Sequence, residues 1–230
     1  MSAPVSVIIP VKNAADRLGP CLGALGEALF EGLIAEVILV DGGSTDEIGE
    51  VADAVGARLI QASQGRGPQL AAGAKAAKGN WYLFMHADSV LESGWAAVVG
   101  NHISKHSDKA AFFRLRFDVS HGASRAVAAW ANWRARWLGL PFGDQGLLVS
   151  RALYNKVGGY PEIELMEDVA LSRRLSGRMR LLDAEVVTSA ERYEQEGWVR
   201  RGARNLSIQA RYLLGADPSR LAETYRRPTP

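Results

Sequence analysis

One cysteine, Cys21, stands in 230 residues, so no internal disulfide can form and the fold must be held by its core alone. Long apolar runs are missing too, and none approaches the ~20 residues that a membrane-spanning helix needs. The first residues carry neither the basic start nor the short apolar core of a secretion signal, so the expected location is the cytosol. Charge of one sign is also lacking. Lys and Arg total 27 against 25 Asp and Glu, and a net charge of +2 gives no overall pull toward nucleic acid. The spread is less even, because residues 198–230 hold seven arginines against Asp217 and Glu223, leaving 1–197 net negative. Such a basic tail meets a phosphate, an acidic acceptor or an anionic membrane surface, or is a solvated helix face. Peripheral attachment to the inner face of a membrane through this tail stays open. Of four histidines, His102, His106 and His121 lie in polar stretches without ligand spacing and read as surface.

Repeats, linkers and low-complexity segments are absent as well, and 47% apolar with 23% charged residues is the balance of a globular chain. What is present is alternation. Val5–Ile9 reads as a buried strand closed by Pro10, Arg17–Leu29 as a helix, and Glu36–Val40 as a second strand. Ser44-Thr-Asp-Glu47 offers a capping box for a helix to about Val55. Arg58–Gln61 is a third strand, Gly67-Pro68 starts a helix running to about Lys78, and Trp81–Met85 is a fourth strand. Strands alternating with helices imply βαβ units: an α/β fold, a mostly parallel central sheet and helices on both faces. The second half is less regular. Strands are expected at Phe112–Phe117 and Gly146–Val149, and helices at Ser124–Leu138, Arg151–Val157, Glu167–Leu175 and beyond Trp198. That last helix should turn Leu206 and Leu213 inward, with Arg200, Arg204 and Arg211 outward.

Chemistry gathers where strands end, the place at which open α/β sheets bind ligands. Asp41-Gly-Gly-Ser-Thr-Asp46 links a strand to a helix; the glycines let backbone approach a ligand, though a tight turn explains the pattern too. Ala62-Ser-Gln-Gly-Arg-Gly-Pro68 sets Arg66 between glycines, where it can reach a diphosphate or stand on a plain surface loop. His86-Ala87-Asp88 follows a wholly apolar strand. A carboxylate there needs a cation, a donor or water, and Mg²⁺ is held by one or two carboxylates plus substrate phosphates; a helix cap is the alternative. Glu167-Asp168 opens a helix, as a general base near a hydroxyl or as a cap. Arg173 and Arg174 on that helix can pair with either carboxylate or face phosphate.

These segments together resemble the large inverting family 2 of glycosyltransferases. They are Val7-Ile-Ile-Pro-Val-Lys-Asn13, Val37-Ile-Leu-Val-Asp-Gly-Gly-Ser-Thr-Asp46, His86-Ala-Asp88 at the D-x-D position, and Met166-Glu-Asp-Val-Ala-Leu-Ser-Arg-Arg-Leu175. Pro141-Phe-Gly-Asp-Gln-Gly146 and Thr188-Ser-Ala-Glu-Arg192 are similar to the small bacterial branch labelled arsenosugar-type or selenium-domain-associated. The resemblance implies a GT-A-like nucleotide-diphospho-sugar transferase fold in one domain. Residues 1–90 would be the nucleotide-binding half, 91–197 the acceptor and catalytic half, and 198–230 a basic helical tail. It implies that Pro10 and Lys12 border the nucleotide, Asp41 binds a uracil-like base, and Arg66 and His86 lie near the ribose or diphosphate. Asp88 would bind Mg²⁺ or Mn²⁺, Asp168 would be the base with Glu167 beside it, and Asp144 and Gln145 would lie near the acceptor. The partners implied are a nucleotide-diphospho-sugar and a small-molecule or lipid-linked acceptor, with no nucleic acid. His86 replaces the first Asp of D-x-D, and Glu191-Arg-Tyr193 stands where processive relatives carry Q-x-x-R-W.

Two other readings remain at this stage. A nucleotidyltransferase acting on a sugar phosphate would want a glycine-rich loop after the first strand, and Pro10-Val-Lys-Asn-Ala14 has none. A non-catalytic nucleotide-sugar-binding protein would not need Glu167-Asp168. Trp130, Trp133 and Trp137 share one helix side and are expected in the core, although an indole can also stack on a sugar ring.

Overall fold

A computed structural model of the chain describes residues 4–226. The end of the basic tail, 227–230, lies outside the described residues. In the first half, β1 (Val5–Val11), β2 (Ile34–Asp41), β3 (Arg58–Gln61) and β4 (Trp81–Phe84) alternate with α1 (Ala15–Ala24), α2 (Gly26–Phe30), α3 (Ile48–Ala54) and α4 (Arg66–Ala76). All pairings among these four strands are parallel. Pro10 does not close β1. Pairing of β1 with β4 ends at Ile8 and Phe84, so the missing Pro10 N–H deprives no neighbour of a bond.

The second half adds β5 (Ser89–Leu91), α5 (Trp95–Lys105), β6 (Ala110–Phe117), α6 (Gly122–Leu138), β7 (Leu147–Ser150) and α7 (Arg151–Lys156). It continues through α8 (Glu167–Arg174), β8 (Met179–Thr188), α9 (Glu191–Glu196), α10 (Trp198–Leu213) and α11 (Pro218–Arg226). The eight strands form one sheet in the order β3-β2-β1-β4-β7-β6-β8-β5. Four of its seven pairings are parallel; β7 runs against both β4 and β6, and β5 against β8. The sheet is thus parallel in its first half and mixed beyond β4, where β7 enters after the chain has reversed through α6.

Period-two alternation puts Val7 and Ile9 in one core layer and Ile8 in the other. The first layer takes Leu18 and Cys21 of α1, Trp95 and Val99 of α5 and Ala131 of α6. The second takes Leu70 and Ala74 of α4 with Leu153 and Leu171 from α7 and α8. Helices therefore cover both faces. α4 lies close because Gly73 has no side chain: a Cβ there would stand 2.4 Å from Ile8 Cγ2.

Several expectations are corrected. The Ser44–Glu47 capping box does not form, because Ser44 Oγ is engaged by Asp41 and the Asn13 backbone and α3 starts only at Ile48. His102 is buried at 4% exposure, its Nε2 3.0 Å from the Lys109 carbonyl oxygen. Leu206 and Leu213 are exposed rather than inward, while Arg201, Ile208 and Gln209 are the buried residues of α10. Arg204 does not project freely outward but meets Glu196 at 3.0 Å. The tryptophan face of α6 is not core either, because α6 buries Ser124, Ala131, Arg134 and Ala135 instead.

Candidate functional site

At the carboxyl ends of β1 and β4 two cavities adjoin, of about 200 and about 120 Å³, sharing Arg66, His86, Asp88 and Arg192. The larger is walled by Pro10, Lys12, Asn13 and Gln69 from the first half of the chain. The smaller is walled by Asp144, Glu167 and Asp168 on one side and by Tyr193, Arg201, Asn205 and Tyr225 on the other. Asn13 and Met166 border the two cavities and are, among the described residues, the non-glycine positions with positive φ, at 49° and 68°. Backbone held in that region costs free energy and clusters at functional sites.

Eight of the ten residues singled out in the sequence border this cleft: Pro10, Lys12, Arg66, His86, Asp88, Asp144, Glu167 and Asp168. Asp41 and Gln145 border neither cavity. Asp41 is 3% exposed; its Oδ1 accepts from Ser44 N–H (2.8 Å) and Oγ (2.6 Å), and its Oδ2 from Gln61 Nε2 (2.9 Å). Burial raises its pKa, but these bonds outweigh it and hold the carboxyl below its ordinary range. Ser44 Oγ in turn accepts the Asn13 N–H at 2.9 Å, so Asp41 braces the loop that lines the cleft rather than facing it. Gln145 is fully buried. Its Nε2 donates to the Phe113 carbonyl and to Asn132 Oδ1, both at 3.3 Å, and its Oε1 accepts the Phe142 N–H at 3.2 Å. It ties the Gly143–Gln145 turn to β6 and α6.

That turn matters because the Gly143 N–H donates to Asp168 Oδ2 at 2.9 Å, while the Val169 N–H donates to Oδ1 at 2.7 Å. The carboxylate is fixed by backbone, and each oxygen keeps a further lone pair for a ligand. Gly143 also lets His86 approach: a Cβ there would stand 2.7 Å from His86 Nε2. Burial, then the charges of Arg66 and Arg192, push the His86 imidazole pKa well below its usual value, so it is neutral at pH 7.

The acids sit in different surroundings. Burial first, then neighbouring Asp168, raises the Glu167 carboxyl pKa, with Arg66 pulling it down. Burial and Asp168 raise Asp144 to about 6, with Arg134 and Arg66 pulling it down. Against burial, the nearby acids Glu167, Asp168 and Asp144 favour the charged form of the Arg66 guanidinium. Asp144 Oδ1 and Arg134 Nη2 are buried and lack a hydrogen-bond partner among the described residues. Arg134 lies over the Phe142 ring at 3.3 Å. Of the two, Asp144 borders the smaller cavity, and an unpaired buried polar atom there calls for a water, an ion or a ligand group.

The donor set suits a hard cation. Among the described residues no three His, Cys, Asp or Glu side chains form a closed metal cage. The carboxylate of Asp88 in the cleft is a hard oxygen donor of the kind Mg²⁺ and Mn²⁺ take together with substrate phosphates and water.

Comparison with known proteins decides the family. Residues 6–145, more than half the chain, match Glycosyl transferase family 2. The chain belongs to that family. It is 37% identical over 115 residues to the PGL/p-HBAD biosynthesis glycosyltransferase of Mycobacterium tuberculosis, a match covering 46% of this chain and 44% of that one. It is 30% identical over 95 residues to the glucosyl-3-phosphoglycerate synthase of Mycolicibacterium paratuberculosis, covering 37% and 29%. The matched stretch thus spans less than half the length of either relative. Among solved structures, the mannosyltransferase PcManGT of Pyrobaculum calidifontis, in complex with GDP-Man and Mn²⁺, superposes with TM-score 0.67 at 18% identity over 95% of this chain and 66% of that one. Staphylococcus aureus TarS 1–349 with UDP-GlcNAc gives 0.61 at 17% identity over 81% and 58%. These likenesses show the fold, and this family 2 chain has the GT-A architecture.

Sequence reasoning on this family 2 member passed over Arg192, Gly143 and the inner face of α10. Arg192 borders both cavities. Its only signal was a place in Thr188–Arg192, the segment similar to the small bacterial branch. Gly143 gave none, since a glycine's close approach to His86 is a fact of tertiary structure. The tail brings Arg201, Asn205, Ile208 and Tyr225 to the cleft, where a plain amphipathic helix had been expected.

Proposed function

We propose that this chain moves a sugar from a nucleotide-diphosphate donor to an acceptor hydroxyl with inversion, Asp168 acting as general base. The observation that carries the reading is the pairing of the two compartments. A wall with Lys12, Arg66 and Arg192 suits an anionic donor, and it adjoins a carboxylate fixed by two backbone N–H groups. Family membership supplies the reaction class, and the relatives named above include structures holding GDP-Man or UDP-GlcNAc.

In this reading Pro10 and Lys12 border the nucleotide, and Arg66, His86 and Arg192 surround the diphosphate. Asp41 acts through Ser44 and Asn13, and Gln145 through the Gly143 turn. A divalent cation, Mg²⁺ or Mn²⁺, held by Asp88 and the donor's phosphate oxygens, would neutralise charge on the leaving diphosphate. Asp168 takes the acceptor's proton while that oxygen bonds to the anomeric carbon. The bond from that carbon to the diphosphate oxygen breaks on the opposite face, its electron pair leaving with the nucleotide. Glu167, its carboxyl pKa raised by burial and by Asp168, stands beside the base on the same helix turn. Residues 1–90 then serve as the donor half and 91–197 as the acceptor half, with 198–226 closing the acceptor side.

Product stereochemistry by NMR tests the inversion: an α-linked donor should give a β-linked product. Retention would refute single displacement. Asp168→Asn should cut transfer by orders of magnitude while leaving donor binding intact, and wild-type turnover in that variant would remove Asp168 from the role.

A further inference from the structure

Two helices without a carboxylate meet on one side of the molecule. α6 and α10, 17 and 16 residues long, contain no Asp or Glu, in a chain that holds 25. They pack against each other, and the ring of His121 before α6 stands edge-on to Trp198 at the start of α10, centroids 4.9 Å apart. Their inner faces are used: α10 brings Arg201, Asn205 and Ile208 to the cleft, and α6 buries Ala131, Arg134 and Ala135.

Their outer faces are apolar. Trp130, Trp133 and Trp137, spaced three and four residues apart and so on one helix side, are 45%, 48% and 67% exposed. Val199, Ala203, Leu206, Ala210 and Leu213 of α10 repeat the same spacing, all exposed, and Leu214 just beyond is 88% exposed. Arg125, Arg136 and Arg211 are exposed on the same two helices. Exposed apolar patches of this kind mark an interaction surface.

We propose that the outer face of α6 and α10 docks on an anionic lipid bilayer, lying in the headgroup plane. Indole rings prefer the membrane interface, where an apolar body meets a polar edge. An amphipathic helix with arginines beside its apolar stripe binds such a surface through both buried area and charge. Charge complementarity selects the lipid over a second copy of this chain. Two copies joined through this face would oppose arginine to arginine with no carboxylate on either helix, whereas anionic headgroups neutralise it. The inference stands independently of the transfer reaction.

The test is co-sedimentation of the whole chain with vesicles of phosphatidylcholine alone and of phosphatidylcholine mixed with phosphatidylglycerol, following tryptophan emission in parallel. Binding is expected to the phosphatidylglycerol vesicles, with a blue shift in emission and release by salt. Arg136→Gln and Arg211→Gln should each weaken it about fivefold, the effect of one arginine near such a surface. The triple change Trp130→Ser, Trp133→Ser and Trp137→Ser should abolish it, with circular dichroism checking that the fold is kept. The arginine variants, at exposed positions, give the same answer should the triple variant misfold. Equal binding to neutral vesicles, no binding, or binding indifferent to the arginine changes would overturn the proposal. So would a dimer in sedimentation that the tryptophan changes dissociate.

Discussion

Asp168 and Asp144 face one cleft and make opposite demands on a proton. Asp168, fixed through Gly143 and Val169, is placed to accept one. Its replacement by Asn keeps the shape and removes the basicity, so kcat should fall by roughly 10²–10⁴ with the donor KM little changed, a split read from steady-state kinetics. Asp144 is different. Its folded pKa, raised to about 6 by burial and Asp168, lies above its unfolded value, so the protonated form is the one the fold prefers. The stability it contributes is complete below the ordinary carboxylate range and is lost as pH rises through about 6. Asp144→Asn should therefore melt like the parent at acid pH and above it at pH 7–8; a difference that does not vary with pH would contradict this. The residues legible in the sequence were those whose position after a strand decides where they point, such as Lys12, His86 and Asp88. Asp41 and Gln145 border neither cavity, and their partners come from distant parts of the chain: Gln61 for the one, Phe113 and Asn132 for the other.

At the scale of elements, the junction of α4 with the segment before α8 joins the two halves of the site. Gly67 makes it possible, since a Cβ there would stand 2.3 Å from the Ile163 carbonyl oxygen and 2.4 Å from that of Pro161. Both neighbours are backbone, so neither yields easily. Gly67→Ala should cost about 1–3 kcal/mol in denaturant unfolding and weaken donor binding through its neighbour Arg66. Gly23→Ala, on α1 with nothing within 4 Å, should be neutral or stabilising. The elements of the first half were legible because βαβ units carry their signal locally, in apolar strands and in the helical spacing of apolar residues between them. β5, three residues long, shows no period, and β8 mixes Arg180, Asp183 and Glu185 with its apolar positions. The tryptophan spacing on α6 identified a helix face but not its direction, because periodicity says which residues share a side and not what lies against it.

For the molecule as a whole, the family 2 fold brings donor-side residues from β1, α4 and β4 against carboxylates from the second half, and α10 with α11 closes the far wall. Helices on both faces and a parallel first half followed from alternation alone; the mixed second half did not, since a strand's direction depends on the route the chain takes to reach it. The central claim is that this cleft holds a nucleotide-diphospho-sugar with a divalent cation. Thermal unfolding measures it most directly, because a ligand of the native state raises the melting temperature. With a UDP- or GDP-sugar at about a hundred times its Kd and Mn²⁺ present, a rise of roughly 5–10 °C is predicted, falling sharply on chelation and in Asp88→Asn. No rise with any nucleotide-diphospho-sugar, with or without Mn²⁺, would contradict the account.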